Sequence, residues 1–185
     1  MYLTQAEFED FVKRSLTSDE ATMFLIAEGA AEKFIDNHTD TNFNNVSETS
    51  KYYDGGVCEI DIDPCTSVTA VASVDSDLSI VETYDSDIYI LEPYNSTVKW
   101  SLRSRIGRFN RGVKNIKVTA KFSSYIDKVP SEIKLACAIL CQGMIDNPAN
   151  YKKESLEGYS YELGGNGEQD DRVLTLLAPY RRILL

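Results

Sequence analysis

The residues of this 185-residue chain that could do chemistry are four cysteines, one histidine and several groups of acids. Cys137 and Cys141 stand one helical turn apart and could offer two thiolates to a metal. Both fall on the apolar face of a predicted helix, where a free cysteine behaves as a small hydrophobe. Cys58-x6-Cys65 lacks zinc-finger spacing, so all four cysteines read as reduced thiols without a metal. Glu59, Asp61 and Asp63 occupy alternate positions of a strand and share one face, an arrangement that could suit Ca²⁺. The glycine and distal glutamate of an EF-hand loop are missing, and a solvated acidic face is the better reading. Asp75/Asp77 and Asp85/Asp87 are further acid pairs in the same region.

A nucleophile needs a base within reach and a group that orients the base. His38 follows a helix among Asn and Asp, where a C-terminal cap or a surface residue is expected. There is no nucleophile elbow, phosphate-binding glycine loop or metalloprotease helix. Gly164-Gly165-Asn166-Gly167 superficially resembles a phosphate cradle but follows no strand, so it reads as a hinge. The sequence therefore predicts no catalytic residues, no metal site and no cofactor.

Charge carries a stronger signal. There are 29 acids against 19 Lys and Arg, a formal charge of −10, which argues against a generic nucleic-acid coat or an anionic-membrane binder. Between Pro93 and Ile126, however, lie Lys99, Arg103, Arg105, Arg108, Arg111, Lys114, Lys117 and Lys121 with no acid, so this window is +8 and the remainder −18. Segregation on that scale signals interaction. Arg103, Arg105, Arg108 and Arg111, interleaved with Trp100 and Phe109, are expected to cap a long hairpin around Gly107. Three readings stay open for it: contact with DNA phosphates, docking onto the acidic surface of a neighbouring copy, or a solvated loop.

The elements that must position these residues follow from periodicity. Thr4/Glu7 and Thr17/Glu20 have capping-box spacing and start two helices. Leu3, Phe8, Phe11, Val12 and Leu16 make the first apolar stripe. Met23, Phe24, Ala27, Ala30, Ala31 and Phe34 make a wide arc on the second helix, which is expected to run to about Asn37 and be buried against several neighbours. Strands are predicted at 50–53, 57–62, 67–74, 88–92, 98–102 and 114–122. Val68, Ala70, Ala72, Val74 and Ile116, Val118, Ala120, Phe122 alternate as half-buried antiparallel strands do. After Val129-Pro130, Ile133, Ala136, Cys137, Leu140, Cys141 and Met144 repeat with helical period. Asn147-Pro148 should end that helix. A last helix is expected from Asp170-Asp171 through Val173, Leu174, Leu176 and Leu177 to Pro179. The acidic start of the chain is unlike a secretory signal, and no run of about 18 apolar residues offers a membrane span. The expected fold is α+β: a helical bundle built from 1–46 and 126–185, with an antiparallel β-rich insertion at 47–125.

The two ends resemble a known family, the head-tail connector (head-completion or adaptor) proteins of tailed bacteriophages. Leu3-Thr4-Gln5-Ala6-Glu7-Phe8 through Thr17-Ser18-Asp19-Glu20-Ala21 is similar to that family's opening helix, acidic turn and Ala-rich second helix. Val129-Pro130-Ser131-Glu132-Ile133-Lys134-Leu135-Ala136 is similar to the start of its long helix. Glu154, Gly158-Tyr159-Ser160 and Leu177-Ala178-Pro179-Tyr180-Arg181-Arg182 match its later segments. The resemblance covers roughly 100 of the 185 residues and leaves the β-rich middle outside.

It implies a non-enzymatic virion protein, made in the bacterial host cytoplasm. The protomer would form a ring, usually a dodecamer, beneath the portal. The ring would continue the DNA channel without sequence-specific binding and offer tail-side proteins an attachment surface. Pro179, Tyr180, Arg181 and Arg182 would dock on the portal, and Arg103, Arg105, Arg108 and Arg111 would contact a neighbouring subunit or DNA. A ring uses heterologous contacts, and a −18/+8 division makes complementary faces available. The rival reading is a cytoplasmic β-rich binding module that grips nucleic acid or an acidic protein through its basic hairpin; a small hydrolase has least support.

Overall fold

Thr4 and Thr17 each close a capping box. Each hydroxyl accepts the backbone N–H of the glutamate three residues on, Glu7 or Glu20, and that carboxylate accepts the threonine N–H in return. Two orphan donors are thereby satisfied at the start of α1 (Gln5–Val12) and of α2 (Ser18–Thr39). Both helices stop at a residue in the left-handed region, Lys13 at φ 57° and Asp40 at φ 55°. The structure, a computed structural model, describes residues 1–146 and 167–181. Among these residues it is α+β, with four α-helices and two antiparallel sheets, and its chain divides into two compact units: 1–40 with 129–185, and 41–128.

In the first unit α3 (Ser131–Asp146) packs against α1, α2 and α4 (Gly167–Leu177), and a 3-10 turn (Ala178–Tyr180) follows α4. Ile133, Ala136, Cys137, Leu140, Cys141 and Met144 are buried as their spacing predicts, and Ala138 and Ile139 are buried as well. It is α3, not α2, that is covered on several sides. On α2 a narrow stripe of Phe24, Ala27, Glu28, Ala31, Ile35 and Thr39 is buried, while Met23 and Ala30 are exposed with Leu25 and Ile26. The wide arc expected there is thus corrected: a stripe of about 100° is all that helices packed on one side require. Phe24 stacks on Phe8 with ring centroids 5.0 Å apart. α4 starts at Gly167, earlier than Asp170-Asp171, and buries Val173 and Leu177 but leaves Leu174 exposed. The Asn147-Pro148 stop, Glu154, Gly158-Tyr159-Ser160 and Gly164-Gly165-Asn166 lie outside the described residues.

In the second unit β1 (Thr49–Tyr53), β7 (Ile116–Lys121), β3 (Ser67–Val74) and β4 (Ile80–Tyr84) form one sheet in that order. β2 (Glu59–Cys65), β6 (Lys99–Ser104) and β5 (Tyr89–Glu92) form the other, and every pairing is antiparallel. Only Thr66 separates β2 from β3, so the chain turns a corner there from one sheet into the other. Ile60, Ile62 and Leu102 from one sheet and Val71, Ile116, Val118 and Ala120 from the other share a single apolar core with Tyr84, Tyr89, Phe109 and Phe122. Each fully buried Ile or Leu side chain there contributes about 1.5–3 kcal/mol.

Two expectations change. β4 was not expected, although Ile80, Val81, Thr83 and Tyr84 stand between two Asp-Ser-Asp turns. On β3, a register shift between Val68 and Ala70 moves the inward face by one residue, so Val71, not Ala70, enters the core. The alternation of β7 holds, with Ile116, Val118 and Ala120 buried.

Lys134 of α3 donates a hydrogen bond to the Glu7 carboxylate, tying α1 to α3. That bond, with the Thr4 N–H, lowers the Glu7 pKa from an ordinary 4.5 to about 2. A carboxylate depressed on folding stabilises the folded state above its unfolded pKa and loses this as pH falls through its folded one. The melting temperature should therefore drop between about pH 4.5 and pH 2, and Glu7→Gln should flatten part of that drop in a pH series of thermal melts.

Candidate functional site

The basic segment must be built from its neighbours, because β6 and β7 belong to different sheets. Residues 105–115 therefore form a crossover between sheets and not the tip of a hairpin around Gly107. This corrects the expectation. Its hydrogen bonds go to the link between β1 and β2: Phe109 N–H donates to the Val57 carbonyl at 3.0 Å, Gly56 N–H to the Phe109 carbonyl at 3.1 Å, and Gly55 N–H to the Gly112 carbonyl at 2.9 Å. The Asn115 side chain accepts from Gly55 N–H and donates to the Asn110 carbonyl. A Cβ on Gly55 would lie 2.0 Å from the Asn110 carbonyl oxygen, so only glycine allows this approach.

Phe109 anchors the crossover. It is 3% exposed, and its ring meets Tyr84 edge-on with centroids 5.4 Å apart. The Tyr84 hydroxyl accepts the Asn110 N–H, and the Asn110 amide donates to Ser73 and Glu82. The four arginines then separate. Arg103 lies on β6 and pairs with Glu59 at 2.8 Å, a bond that raises its own pKa. With Ser101, which donates to Glu59 at 2.6 Å, Arg103 holds the Glu59 carboxyl below its ordinary range. Arg105, Arg108 and Arg111 are exposed and make no ion pair among the described residues. Ile106 and Val113 beside them are 74% and 82% exposed.

The alternate acids of β2 are drawn into the protein's own contacts. Glu59 is taken up as described, and Asp63 accepts from Lys51 at 2.7 Å and from the Tyr53 hydroxyl at 3.1 Å. Burial and the neighbouring Asp63 push the Tyr53 hydroxyl well above its ordinary range. Asp75 accepts the backbone N–H groups of Asp77 and Ser79 and shapes the turn between β3 and β4. Among the described residues no group of three His, Cys, Asp or Glu is arranged to hold a metal.

Cys137 and Cys141 are fully buried, and a hydrogen bond between them, with desolvation, raises the Cys137 thiol far above its ordinary range. Cys65 is buried and pushed up to about 11 by desolvation. Thiols so held are poor nucleophiles and ligands at neutral pH. His38 lies in the last turn of α2 and stacks on Phe34, with centroids 6.1 Å apart. Burial, with Arg181 nearby, lowers its pKa.

At the other candidate surface, the Tyr180 hydroxyl donates to Glu132 at 3.0 Å, so Tyr180 is fastened to the first turn of α3. Pro179 and Arg181 are exposed, and Arg182 lies outside the described residues. No helix among the described residues is long and apolar enough to cross a membrane. Sequence reasoning missed the exposed β4 edge as a surface, with Ile80 59% and Val81 65% exposed.

No protein-family model matches the sequence, and no curated protein sequence matches it either. Solved structures do. A chain in the neck of an empty gene transfer agent (GTA) particle, computed with C6 symmetry, aligns with a TM-score of 0.62 at 17% identity, over 100% of this chain and 91% of that one. A chain from the virion of a native GTA particle aligns at 0.60 and 19% identity, over 100% and 91%. A third, in the neck of a native GTA particle computed with C12 symmetry, aligns at 0.56 and 16% identity, over 97% and 88%. The chain therefore shares its fold with these chains over 97–100% of its length.

If Phe109 is what anchors the crossover, Phe109→Ala should lower unfolding stability by about 3–5 kcal/mol in a denaturant titration. Arg108→Ala, on an exposed side chain, should stay within about 0.5 kcal/mol.

Proposed function

We propose that the chain is a structural virion protein of the head-tail interface, a connector or adaptor protomer that forms a ring beneath the portal. The single observation that carries this reading is the whole-chain likeness to neck chains of symmetric particles, which includes the β-rich unit that the connector resemblance leaves outside. The ring is a dodecamer, in keeping with the C12 symmetry of one of those necks. It continues the DNA channel and gives tail-side proteins a surface to attach to. A chain of net charge −10 lets packaged DNA pass, because phosphate is repelled rather than neutralised. Pro179, Tyr180, Arg181 and Arg182 meet the portal, with Tyr180 held ready by Glu132. The role needs no catalysis, which suits buried, high-pKa thiols and carboxylates already engaged by their own neighbours.

The rival reading, a basic hairpin closing on nucleic acid, loses support on two counts. The basic residues do not form a hairpin, and Arg103 is already engaged by Glu59.

Sedimentation velocity and electron microscopy of the purified protein, alone and with the portal protein of the same particle, test this reading. A twelve-fold ring, formed alone or on the portal, is the expected result; a protein that stays monomeric in both would overturn it. Truncation before Pro179 should abolish portal binding in a pull-down while leaving the helical circular dichroism signal unchanged. Undiminished binding would reject the docking role of that segment.

A further inference from the structure

The side of α2 turned to solvent is apolar where the outer face of a helix is expected to be charged. Opposite the buried stripe of Phe24, Ala27 and Ala31 stand Leu25, Ile26, Gly29 and Ala30, all exposed, with Leu25 at 59% and Ile26 at 65%. Met23 borders them and is exposed too. The acids of this stretch are engaged elsewhere: Glu20 pairs with Arg14, Glu28 is buried and accepts the Tyr2 N–H, and Glu32 pairs with the Met1 amino group. Charges in line with the apolar residues come at the two ends, Asp19 and Lys33. Both are exposed, and neither makes an ion pair among the described residues.

Gly29 has no reason within the protomer. It lies in the interior of a 22-residue helix, and a Cβ added there would meet no atom within 4 Å. A glycine in that setting weakens the helix relative to alanine, because it has more backbone freedom to lose. What it permits on an outer face is the close approach of a second helix. The charges say which helix. Asp19 and Lys33 stand seven residues to either side of Ile26, and fourteen residues are close to four turns, so the two lie on one line about 21 Å apart. When two α2 helices run antiparallel with their centres at Ile26, Asp19 of each copy comes opposite Lys33 of the other. Thr22 and Met23 of one copy then come level with the small residues Ala30 and Gly29 of the other. A parallel pair in the same register would set like charges together at both ends.

We infer that the outer face of α2 is a two-fold contact with a second copy of this chain, an antiparallel helix pair centred on Ile26 and closed at each end by Asp19 against Lys33. Leu25 and Ile26 supply the apolar part, Gly29 and Ala30 supply the room, and the charges fix direction and register and make the contact weaken with salt. Such a contact is isologous, the same patch on both copies, whereas the contacts that repeat around a cyclic ring are heterologous. It therefore goes beyond the ring reading and describes the protein before it joins the portal, when the apolar face of α2 would otherwise stand in water.

Sedimentation velocity of the full chain without portal protein, over a range of concentrations, tests this contact. A reversible equilibrium between monomer and dimer is expected, and Ile26→Asp should abolish it. Asp19→Lys and Lys33→Asp should each weaken the dimer by about 10-fold. The variant that carries both changes, and an equimolar mixture of the two single variants, should recover it, because each restores opposite charges across the two-fold axis. Gly29→Gln separates the contact from a structural role. The better helix former should raise the melting temperature at concentrations where the protein is monomeric, while its longer side chain weakens the dimer by roughly 10-fold. Circular dichroism checks that every variant is folded. A wild type that stays monomeric at every concentration, or a dimer unmoved by Ile26→Asp and Gly29→Gln, would overturn the contact. So would an Ile26→Asp variant that loses portal binding with its self-association unchanged, since the face would then belong to the portal. Ring formation on the portal is read in a separate sample, so this contact and the ring reading fail independently.

Discussion

The chain has to cross from the three-stranded to the four-stranded sheet between Ser104 and Ile116, and the β-rich unit depends on how it does so. A connection between sheets carries backbone groups that no ladder can satisfy. Here the β1–β2 link satisfies several of them, through Gly55, Gly56 and Val57, while Phe109 fills the end of the core. One segment therefore closes the sandwich and fixes where its cations sit. With the backbone held and Phe109 turned inward, Arg108 and Arg111 are left on the outside.

Electrostatics in this protein divides into pairs that are made and charges that are left over. Lys134–Glu7, Arg14–Glu20, Lys51–Asp63 and Arg103–Glu59 are made within a unit. Exposed pairs of this kind are worth about 0–1 kcal/mol each and shape local geometry more than stability. Arg105, Arg108 and Arg111 are among the charges left over: all three are exposed and make no ion pair among the described residues.

Much of the helical unit was legible because its signals are local. Thr4/Glu7 and Thr17/Glu20 specify their caps within four residues, and the period of Ile133 to Met144 marks the buried face of α3 directly. The breadth of the buried stripe on α2 was not legible, since Met23 and Ala30 are apolar in sequence whatever covers them in space. In the β-rich unit the alternation of β7 could be read, but the bulge after Val68 could not. A one-residue shift leaves no mark on composition yet exchanges the faces of β3. The basic segment shows the same limit. The eight cations were plain in sequence, but a hairpin and a crossover between sheets share turn residues, and only the partners of β6 and β7 distinguish them. β4 was legible in principle: five residues rich in β-branched and aromatic side chains stand between two Asp-Ser-Asp turns.

The first unit is discontinuous, since residues 41–128 fold between α2 and α3. The two ends of that insert are stitched together, with Ser124 N–H donating to the Asn42 carbonyl at 2.8 Å and the Thr41 and Ser124 hydroxyls 3.0 Å apart. Once the insert has folded, α2 and α3 are joined by what amounts to a link of a few residues. Chain-entropy scaling makes closing such a link cheaper by about 2.5 kcal/mol than closing the whole flexible segment. During synthesis the order is then set by connectivity: the β-rich unit is complete when Lys128 leaves the ribosome, and α2 must wait for α3 to emerge before its apolar stripe is covered.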